Sequence, residues 1–318
     1  MASYLVTGGC GFIGSHLVAA LRGRGDAVRV LDDLSTGSRD NLAPGASLIL
    51  GDIADPVTVR EAMEGVDGCF HLAAIASVER GVQDWLGSHR ANLSGAITVL
   101  DAARERRIPV VYASSAAVYG DNAALPLTEA ALTRPLSAYG ADKLGCELHA
   151  RVAGTYGVPT LGLRFFNVFG PRQDPRSPYS GVISIFCDRL TRGEAVDVYG
   201  DGEQTRDFVY VTDVVAALLA GLRGANPTAP VFNVCTGRPI SVRVLAETIA
   251  AVSGVALELR YRPARMGEIR HSLGAAELGT EVLSLGAPVG LREGLVEVVA
   301  WLRAGRPSLA AAGATPGP

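Results

Sequence analysis

The chain has 318 residues, of which 48% are hydrophobic and 19% are charged, with a formal net charge of -3. This length can fill one large α/β domain or two unequal ones. The charge balance lacks the basic excess of proteins that bind nucleic acid or anionic lipid, so we expect no nucleic acid and no membrane as partner.

The cysteine pattern helps to predict the cellular compartment of the protein and whether it binds a metal. The five cysteines form no C-x-x-C pair, which disfavours a metal site or a disulfide scaffold. Neither a basic leader nor an apolar stretch of roughly 18 residues is present in this sequence. We therefore expect a cytoplasmic protein with reduced thiols, no signal peptide and no bound metal.

Residues 1–165 alternate short apolar runs with helical patterns, which predicts βαβ units and a Rossmann-type doubly wound parallel sheet of the α/β class. The predicted strands cover residues 4–6, 27–31, 47–50, 68–71, 110–113 and 160–164. The predicted helices cover residues 14–22, 57–63, 89–106 and 139–156.

Beyond Phe165, prolines and glycines break this alternation and predict a smaller C-terminal α/β domain. We assign residues 166–207 and 236–304 to this second domain and expect part of 208–235 to join the first. Residues 305–318, made largely of small residues with Gly and Pro, predict a flexible tail.

A glycine-rich segment over residues 7–14 follows the first predicted strand and opens the first predicted helix. Gly9, Gly11 and Gly14 have the G-x-G-x-x-G spacing, in which glycines permit a tight turn and close approach to a pyrophosphate. Such a spacing alone indicates only a turn. The second predicted strand, however, ends at Asp32 and Asp33, where a carboxylate can bind the ribose 2′-hydroxyl of NAD and repel the 2′-phosphate of NADP.

Two further segments follow predicted strands and so lie at the same carboxyl edge of the sheet, where ligands bind in such folds. They are Gly-Asp-Ile at 51–53 and His-Leu-Ala-Ala at 71–74.

The chain holds 29 Lys and Arg residues, of which Lys143 alone is a lysine. Tyr139 precedes it by four residues, so a helix places the phenol and the ammonium on one face. A nearby cation favours the phenolate form of a tyrosine, which makes Tyr139 a candidate acid/base. An exposed Tyr-Lys pair would be the default interpretation of this spacing, but the single lysine and the glycine loop argue against it.

Ser115 ends the fifth predicted strand at the same sheet edge and can hydrogen-bond a reacting hydroxyl. A serine in this place is common in any loop, and it becomes a candidate catalytic residue only together with Tyr139 and Lys143.

These segments together resemble the extended short-chain dehydrogenase/reductase family, and within it the UDP-sugar 4-epimerases of the UDP-glucose and UDP-N-acetylglucosamine branch. The resemblance extends to about residue 304. It is carried by T-G-G-C-G-F-I-G at 7–14, Asp32, 51–53, 71–74, S-S-A-A-V-Y-G at 114–120, 139–143 and R-F-F-N-V-F-G-P-R at 164–172.

The resemblance implies that the first domain binds NAD and that the second binds the nucleotide sugar. The implied NAD site consists of Gly8, Gly11, Phe12, Ile13, Gly14, Asp32, Asp33, Asp52, Ile53, Leu72, Ala73, Ala74, Asn92, Tyr139 and Lys143. The implied UDP-sugar site consists of Ser77, Ser115, Asn167, Tyr199, Arg206, Arg265, Glu268 and Ser272.

The mechanism implied by the resemblance inverts C4 through a transient 4-keto sugar. Tyr139 removes the C4 hydroxyl proton while a hydride moves to NAD, and the hydride then returns to the other face of the turned sugar. Ser115 holds O4, and Lys143 binds the nicotinamide ribose and tunes Tyr139.

Two differences from related enzymes of the family narrow the expected reaction and the expected substrates. Sugar 4,6-dehydratases have Asp-Glu after the fifth strand and UDP-glucuronate decarboxylases keep the Glu, whereas this chain has Ala116 and Ala117. Narrow UDP-galactose 4-epimerases wall the sugar pocket with a tyrosine where this chain has Ser272. We therefore expect N-acetylhexosamines as well as hexoses to be substrates.

Other functions remain open at this point. A UDP-glucuronate 4-epimerase is one, with Arg192 reaching the carboxylate, and a 4-ketoreductase or an NADP-linked heptose epimerase is another. A dinucleotide-binding protein without chemistry is a remote alternative. The resemblance also implies a homodimer that forms through the helices near 89–106 and 139–156.

Overall fold

The computed structural model describes residues 1–175, 181–264 and 269–305. Its strands are β1 Ser3–Thr7, β2 Ala27–Asp32, β3 Ser47–Leu50, β4 Gly68–His71, β5 Val110–Ser115, β6 Thr160–Phe165, β7 Asn167–Phe169, β8 Val196–Tyr199, β9 Thr205–Tyr210, β10 Val231–Val234, β11 Pro239–Ser241 and β12 Leu259–Arg262. Its helices are α1 Phe12–Gly23, α2 Pro56–Met63, α3 Val78–Gln83, α4 Trp85–His89, α5 Gly95–Arg104, α6 Ala138–Thr155, α7 Val182–Thr191, α8 Val211–Gly224, α9 Val242–Ser253, α10 Glu277–Leu283 and α11 Leu291–Arg303. None of the helices in the described ranges is both long enough and apolar enough to cross a bilayer.

Seven parallel strands form the main sheet in the order β3-β2-β1-β4-β5-β6-β10. The six strands predicted from the sequence are all present, with bounds that differ by two residues or fewer, and the predicted doubly wound α/β sheet is confirmed. The order reverses at β1, which lies between β2 and β4. Such a reversal opens a crevice at the carboxyl ends of the strands.

Helices cover both faces of this sheet. Successive side chains of each strand point to opposite faces, so the helices bury apolar side chains on both. One face packs against α1 and α8 through residues such as Leu17 and Leu218. The other face packs against α2, α5 and α6 through residues such as Val99 and Ala150. The burial of both faces explains why the strands appear in the sequence as nearly continuous apolar runs.

The predicted continuous helix over 89–106 is wrong in one respect, because a π-helical turn at Arg90–Ser94 separates α4 from α5. The buried Asn92 lies in this turn, and its side-chain amide pairs with the backbone N–H and carbonyl of Ile75 at 2.7 and 3.3 Å. This pairing accompanies the wider turn, which apolar periodicity does not reveal.

The second region contains a three-stranded sheet in the order β11-β9-β7 and the strand pair β12-β8. Helices α7, α9 and α11 share a separate core with these strands, which includes Phe186, Leu245 and Leu295. From residues 208–235, α8 and β10 pack with the main sheet. Of the predicted tail, residues 306–318 lie outside the described residues.

The turn between β1 and α1 yields a test of the packing that this fold requires. A Cβ atom on Gly14 would overlap the Gly8 carbonyl oxygen and lie 2.8 Å from the Gly9 Cα, whereas a Cβ on Gly23 at the end of the same helix would meet nothing within 4 Å. We expect Gly14→Ala to lower the free energy of unfolding by about 1–3 kcal/mol through overpacking. Gly23→Ala should raise it by about 0.5 kcal/mol by restricting the unfolded chain. Urea titration of the two variants measures both changes, and equal stability would contradict the expected clash.

Candidate active site

A cleft of about 600 Å³ lies at the carboxyl ends of the central strands, where the strand order reverses. Residues from both regions of the chain line it. The first region supplies the glycine loop and the ends of β2, β4 and β5, and the second supplies the segment that follows β6.

The glycine loop lines one wall of the cleft through Gly8, Gly11 and Gly14. Gly8 has a φ of 71°, and a Cβ there would lie 2.7 Å from the backbone nitrogen of Ala73. Gly11 precedes α1, and no side chain caps this helix, so its first N–H groups are available to an anion. Gly9, which the G-x-G-x-x-G spacing included, is buried and packs against Val30 instead. The glycines on the cleft therefore follow a G-x-x-G-x-x-G spacing.

Asp32 and Asp33 also line the cleft, at the end of β2. The carboxylate of Asp32 accepts the backbone N–H groups of Cys10 and Leu34, both at 2.9 Å, and so ties the glycine loop to β2. Burial raises the pKa of Asp32 above its usual value. Asp33 is exposed and accepts the N–H of Ser35.

The three residues that the sequence identified as catalytic, Ser115, Tyr139 and Lys143, line the same cleft. Lys143 is 1% exposed, and its Nζ donates to the carbonyl of Ala113 at 2.9 Å. The same Nζ lies 5.8 Å from the ring centroid of Tyr139. Ser115 Oγ accepts the N–H of Ala117 at 3.2 Å, which leaves its hydroxyl proton available to a ligand.

A buried histidine beside Lys143 was not assigned a role from the sequence. Thr7 Oγ1 accepts the N–H groups of Leu72 and Ala73, so its own proton points to His71 Nδ1, 2.8 Å away. Burial and the charge of Lys143 lower the pKa of His71 to about 3. His71 is therefore neutral at physiological pH and adds no second positive charge beside Lys143.

Among the other residues predicted to bind the cofactor, Phe12, Ile13, Ile53 and the segment Leu72 to Ala74 line the cleft. Asp52 and Asn92 do not. Asp52 accepts hydrogen bonds from Arg90 at 2.6 Å and from the N–H of Ala54 at 2.8 Å. Asn92 is fully buried and fixes the backbone of Ile75, which itself lines the cleft.

Of the residues predicted to bind the UDP-sugar, some lie on or beside the cleft and others do not. Asn167 lines the cleft, and β7, which carries it, pairs with β9, which carries Arg206. Ser272 is adjacent, since its N–H donates to the carbonyl of Thr205 at 3.1 Å. None of Ser77, Tyr199, Arg206 and Ser272 lines the cleft, and Arg265 and Glu268 lie outside the described residues.

The remaining side chains of this group have other partners. Ser77 is buried and accepts the N–H of Arg80 at the start of α3. Tyr199 is 36% exposed at the end of β8. Arg192, which the sequence offered as a partner for a sugar carboxylate, pairs with Asp188 at 2.8 Å and Glu194 at 3.2 Å and does not line the cleft.

Arg172 lines the cleft and was quoted only as part of a motif in the sequence. Its φ is 69°, an unusual value for a residue with a side chain. Its Nη2 donates to His16 Nδ1, and His16 Nε2 donates to the carbonyl of Pro171, both at 2.9 Å. Burial lowers the pKa of Arg172 to about 10 and the pKa of His16 to about 4. The arginine therefore donates its hydrogen bond to a neutral imidazole.

Within the described ranges, no group of three or more His, Cys, Asp or Glu side chains is arranged to hold a metal ion.

Comparison with known proteins identifies the family to which the chain is similar. A model of the NAD dependent epimerase/dehydratase family matches residues 4–235. The chain is 37% identical over 303 residues to a putative UDP-glucose 4-epimerase of Methanocaldococcus jannaschii, a match that covers 94% of this chain and 98% of that protein.

Solved structures with similar sequences share the whole fold. The UDP-glucose 4-epimerase of Thermotoga maritima with UDP-glucose has a TM-score of 0.91 at 36% identity and covers 95% of this chain and 99% of its own. The UDP-N-acetylglucosamine 4-epimerase of Methanobrevibacter ruminantium M1 in complex with UDP-N-acetylmuramic acid also has a TM-score of 0.91 at 36% identity, with coverages of 96% and 99%. Because the family match alone extends over more than two thirds of the sequence, the chain belongs to the NAD dependent epimerase/dehydratase family, as its resemblance to the extended short-chain dehydrogenases/reductases predicted.

Proposed function

We propose that this protein is an NAD-dependent UDP-sugar 4-epimerase. The observation that carries the proposal is the position of the Lys143 ammonium, which is buried beside Tyr139 in the wall of the cleft that the glycine loop also lines. The similarity to two 4-epimerases of known structure supports the same reaction.

The described residues fit a dinucleotide cofactor. A Cβ at Gly8 would lie 2.7 Å from the backbone nitrogen of Ala73 and a Cβ at Gly14 would overlap the Gly8 carbonyl, so both positions need glycine for the turn to stay tight. Tight glycine turns of this kind bring backbone N–H groups close to a pyrophosphate. Arg172 Nη1 is buried with no hydrogen-bond partner among the described residues, as expected of a guanidinium that binds an anion when the ligand is present. In the proposed complex Asp32 holds the adenosine ribose, and bound NAD supplies reversible redox chemistry at C4 of the sugar.

The proton chemistry then belongs to the chain's own residues. Ser115 donates its hydroxyl proton to O4 and orients the sugar. Tyr139 accepts the proton of the C4 hydroxyl and later returns it. Lys143 keeps a positive charge near the phenol and binds the nicotinamide ribose.

Nucleotide recognition is proposed from the resemblance. Asn167 and Arg206 lie on paired strands beside the cleft and suit the diphosphate. By the same resemblance we propose that Arg265 also binds the diphosphate, that Tyr199 stacks on uracil, that Glu268 binds the uridine ribose, and that Ser77, which follows the cleft residue Ala76, contacts the sugar. Asp33, Asp52 and Asn92 support the cofactor site, the last two from behind the cleft wall.

A net 4-ketoreductase or an NADP-linked heptose epimerase shares the Ser115, Tyr139 and Lys143 set. The position of Asp32 at the end of β2 favours NAD over NADP. An epimerase completes many turnovers without added reduced cofactor, whereas a reductase stops when the cofactor is consumed, so turnover without added NADH separates the two.

Replacement of the proposed acid/base tests the reaction directly. We expect the purified wild-type protein to interconvert UDP-glucose and UDP-galactose, and Tyr139→Phe to lower kcat by about a hundredfold or more because the proton acceptor is gone. Tyr4→Phe, in β1 and away from the cleft, is the matched control and should leave kcat unchanged. Incubation with UDP-glucose, UDP-N-acetylglucosamine and UDP-glucuronic acid separately, followed by chromatography, identifies the substrate. Activity of Tyr139→Phe within twofold of wild type would refute the assigned role.

The small side chain of Ser272 is the basis for proposing N-acetylhexosamines as additional substrates. We expect Ser272→Tyr to lower kcat/KM for UDP-N-acetylglucosamine about tenfold or more while UDP-glucose is affected much less, because a bulky wall excludes the acetamido group. Ser47→Tyr, on the exposed edge strand β3, is the control. Rapid wild-type turnover of UDP-glucose beside negligible turnover of UDP-N-acetylglucosamine would contradict the broad specificity.

A homodimer through the outer faces of α5 and α6 is also proposed. Ile97, Leu148, Val152 and Tyr156, on these faces or directly after α6, are 37%, 57%, 49% and 56% exposed. The opposite faces of the two helices pack into the core through residues such as Val99 and Ala150. Adjacent exposed apolar side chains of this kind mark protein interfaces.

A charge placed in this surface should prevent association. We expect wild type to have twice the chain mass in solution and Val152→Glu to shift toward the monomer, because burying an unpaired carboxylate opposes association. Val244→Glu, at an exposed apolar position of α9, is the control. A monomeric wild type in sedimentation velocity would exclude the dimer.

A further inference from the structure

A buried ion pair lies one helical turn beyond the catalytic lysine. Glu147 in α6 is 8% exposed and Arg164 in β6 is 6% exposed. Arg164 Nε donates to Glu147 Oε1 at 2.9 Å, and its Nη2 donates to Oε2 at 2.7 Å. Two parallel hydrogen bonds of this kind fix orientation as well as distance.

The same carboxylate also contacts β5, the strand that ends at Ser115. Ser114 Oγ donates to Glu147 Oε1 at 2.5 Å, and the carbonyl of the preceding residue, Ala113, accepts from Lys143 Nζ at 2.9 Å. Lys143 and Glu147, one turn apart on α6, therefore hold two consecutive residues of β5. One such contact would let the helix rotate about it, whereas two on one face fix its rotation and its height along the strand.

Tyr139 lies on the same face of α6, four residues before Lys143 and eight before Glu147. Spacings of four and eight residues keep all three side chains within one stripe of the helix. The orientation of the phenol over the cleft therefore depends on the rotation that the two contacts with β5 set.

The network continues from Arg164 toward the second region. Arg164 Nη1 donates to Tyr119 Oη at 2.8 Å, and the Tyr119 hydroxyl donates to Asn233 Oδ1 at 2.7 Å. Asn233 Nδ2 donates to the carbonyl of Leu127 at 2.9 Å. The backbone of Leu127 in turn pairs with Leu273, which directly follows Ser272, and with Ala275. Buried hydrogen bonds thus connect the catalytic helix to the segment proposed to contact the sugar.

Stability alone is a weak reason for a buried ion pair, because the desolvation cost of two charges can exceed their attraction. A protein in which two apolar side chains of similar volume replace a buried ion pair is often as stable as the original or more stable. What an apolar pair cannot reproduce is the fixed geometry of a bidentate contact. We propose that Glu147, held by Arg164 and Ser114, is a positioning residue that sets the rotation of α6 and so aims Tyr139 and Lys143 at the sugar. This inference rests on the proposed 4-epimerase function.

The decisive experiment removes both charges together. Glu147→Met alone leaves the buried Arg164 unpaired and should lower stability sharply. The double variant Glu147→Met/Arg164→Met should regain much of that stability without regaining activity. We expect kcat for UDP-glucose to fall about tenfold to a hundredfold because small displacements of catalytic groups are costly, with KM within about threefold.

An exposed ion pair supplies the matched control. Arg243 and Glu247 pair at 3.0 Å on the surface of α9, and Glu247→Met/Arg243→Met should leave kcat, KM and stability close to wild type. A folded Glu147→Met/Arg164→Met variant with kcat within twofold of wild type would overturn the positioning role and leave the pair a purely structural one.

A readout without substrate separates this proposal from the proposed function. Amide hydrogen exchange of residues 139–147 in the purified protein should be faster in the double variant than in wild type and unchanged in the control. Unchanged exchange in the double variant would overturn the positioning role. A wild-type protein that turns over no UDP-sugar would refute the 4-epimerase function itself, and the exchange result would still report whether the network holds the helix.

Discussion

The candidate active site depends on one buried positive charge. Lys143 is 1% exposed, its ammonium donates to the carbonyl of Ala113, and among the described residues no carboxylate forms an ion pair with it. Burial of an unpaired ion costs several kcal/mol, so the fold must hold this group by other means. Its surroundings are consistent with the charge, since His71 nearby is kept neutral by burial and by Lys143 itself. The proposed acid/base role of Tyr139 depends on this ammonium, whose Nζ lies 5.8 Å from the centroid of the Tyr139 ring.

Much of this arrangement could be predicted from the sequence because its determinants are local. Strands buried on both faces are apolar runs, and their carboxyl ends meet at one edge of a parallel sheet. The residues that end them, such as Asp32 and Ser115, therefore lie on one cleft. The pair Tyr139 and Lys143 needs only helical spacing, and its position on the cleft then follows from the strand that precedes the helix.

The features that the sequence did not predict are contacts between residues distant in the chain. Thr7 and His71 are separated by 64 positions, and His16 and Arg172 by 156. No periodicity links such pairs, and each forms only after the sheet and its helices have assembled. The G-x-G-x-x-G spacing alone included Gly9, whereas the resemblance named Gly8, Gly11 and Gly14, which line the cleft. Only the packing of Gly9 against Val30 shows that Gly9 is not one of the cleft glycines.

The proposed catalytic groups, Ser115, Tyr139 and Lys143, suit the proposed inversion at C4, in which the proton that is removed is later returned. Inversion at C4 removes one proton from O4 and puts it back, so a single phenol and an orienting hydroxyl are enough. Elimination of water from the same keto sugar needs an additional acid and base, and the turn Ala116–Tyr119 that follows Ser115 contains no carboxylate. The carboxylates that line the cleft are those of Asp32, Asp33 and Asp174. Asp32 is bound to the N–H groups of Cys10 and Leu34, and Asp33 accepts the N–H of Ser35. With Ala116 and Ala117 where the resemblance places the acids of a dehydratase, the residues after Ser115 fit the proposed inversion at C4 better than they fit elimination.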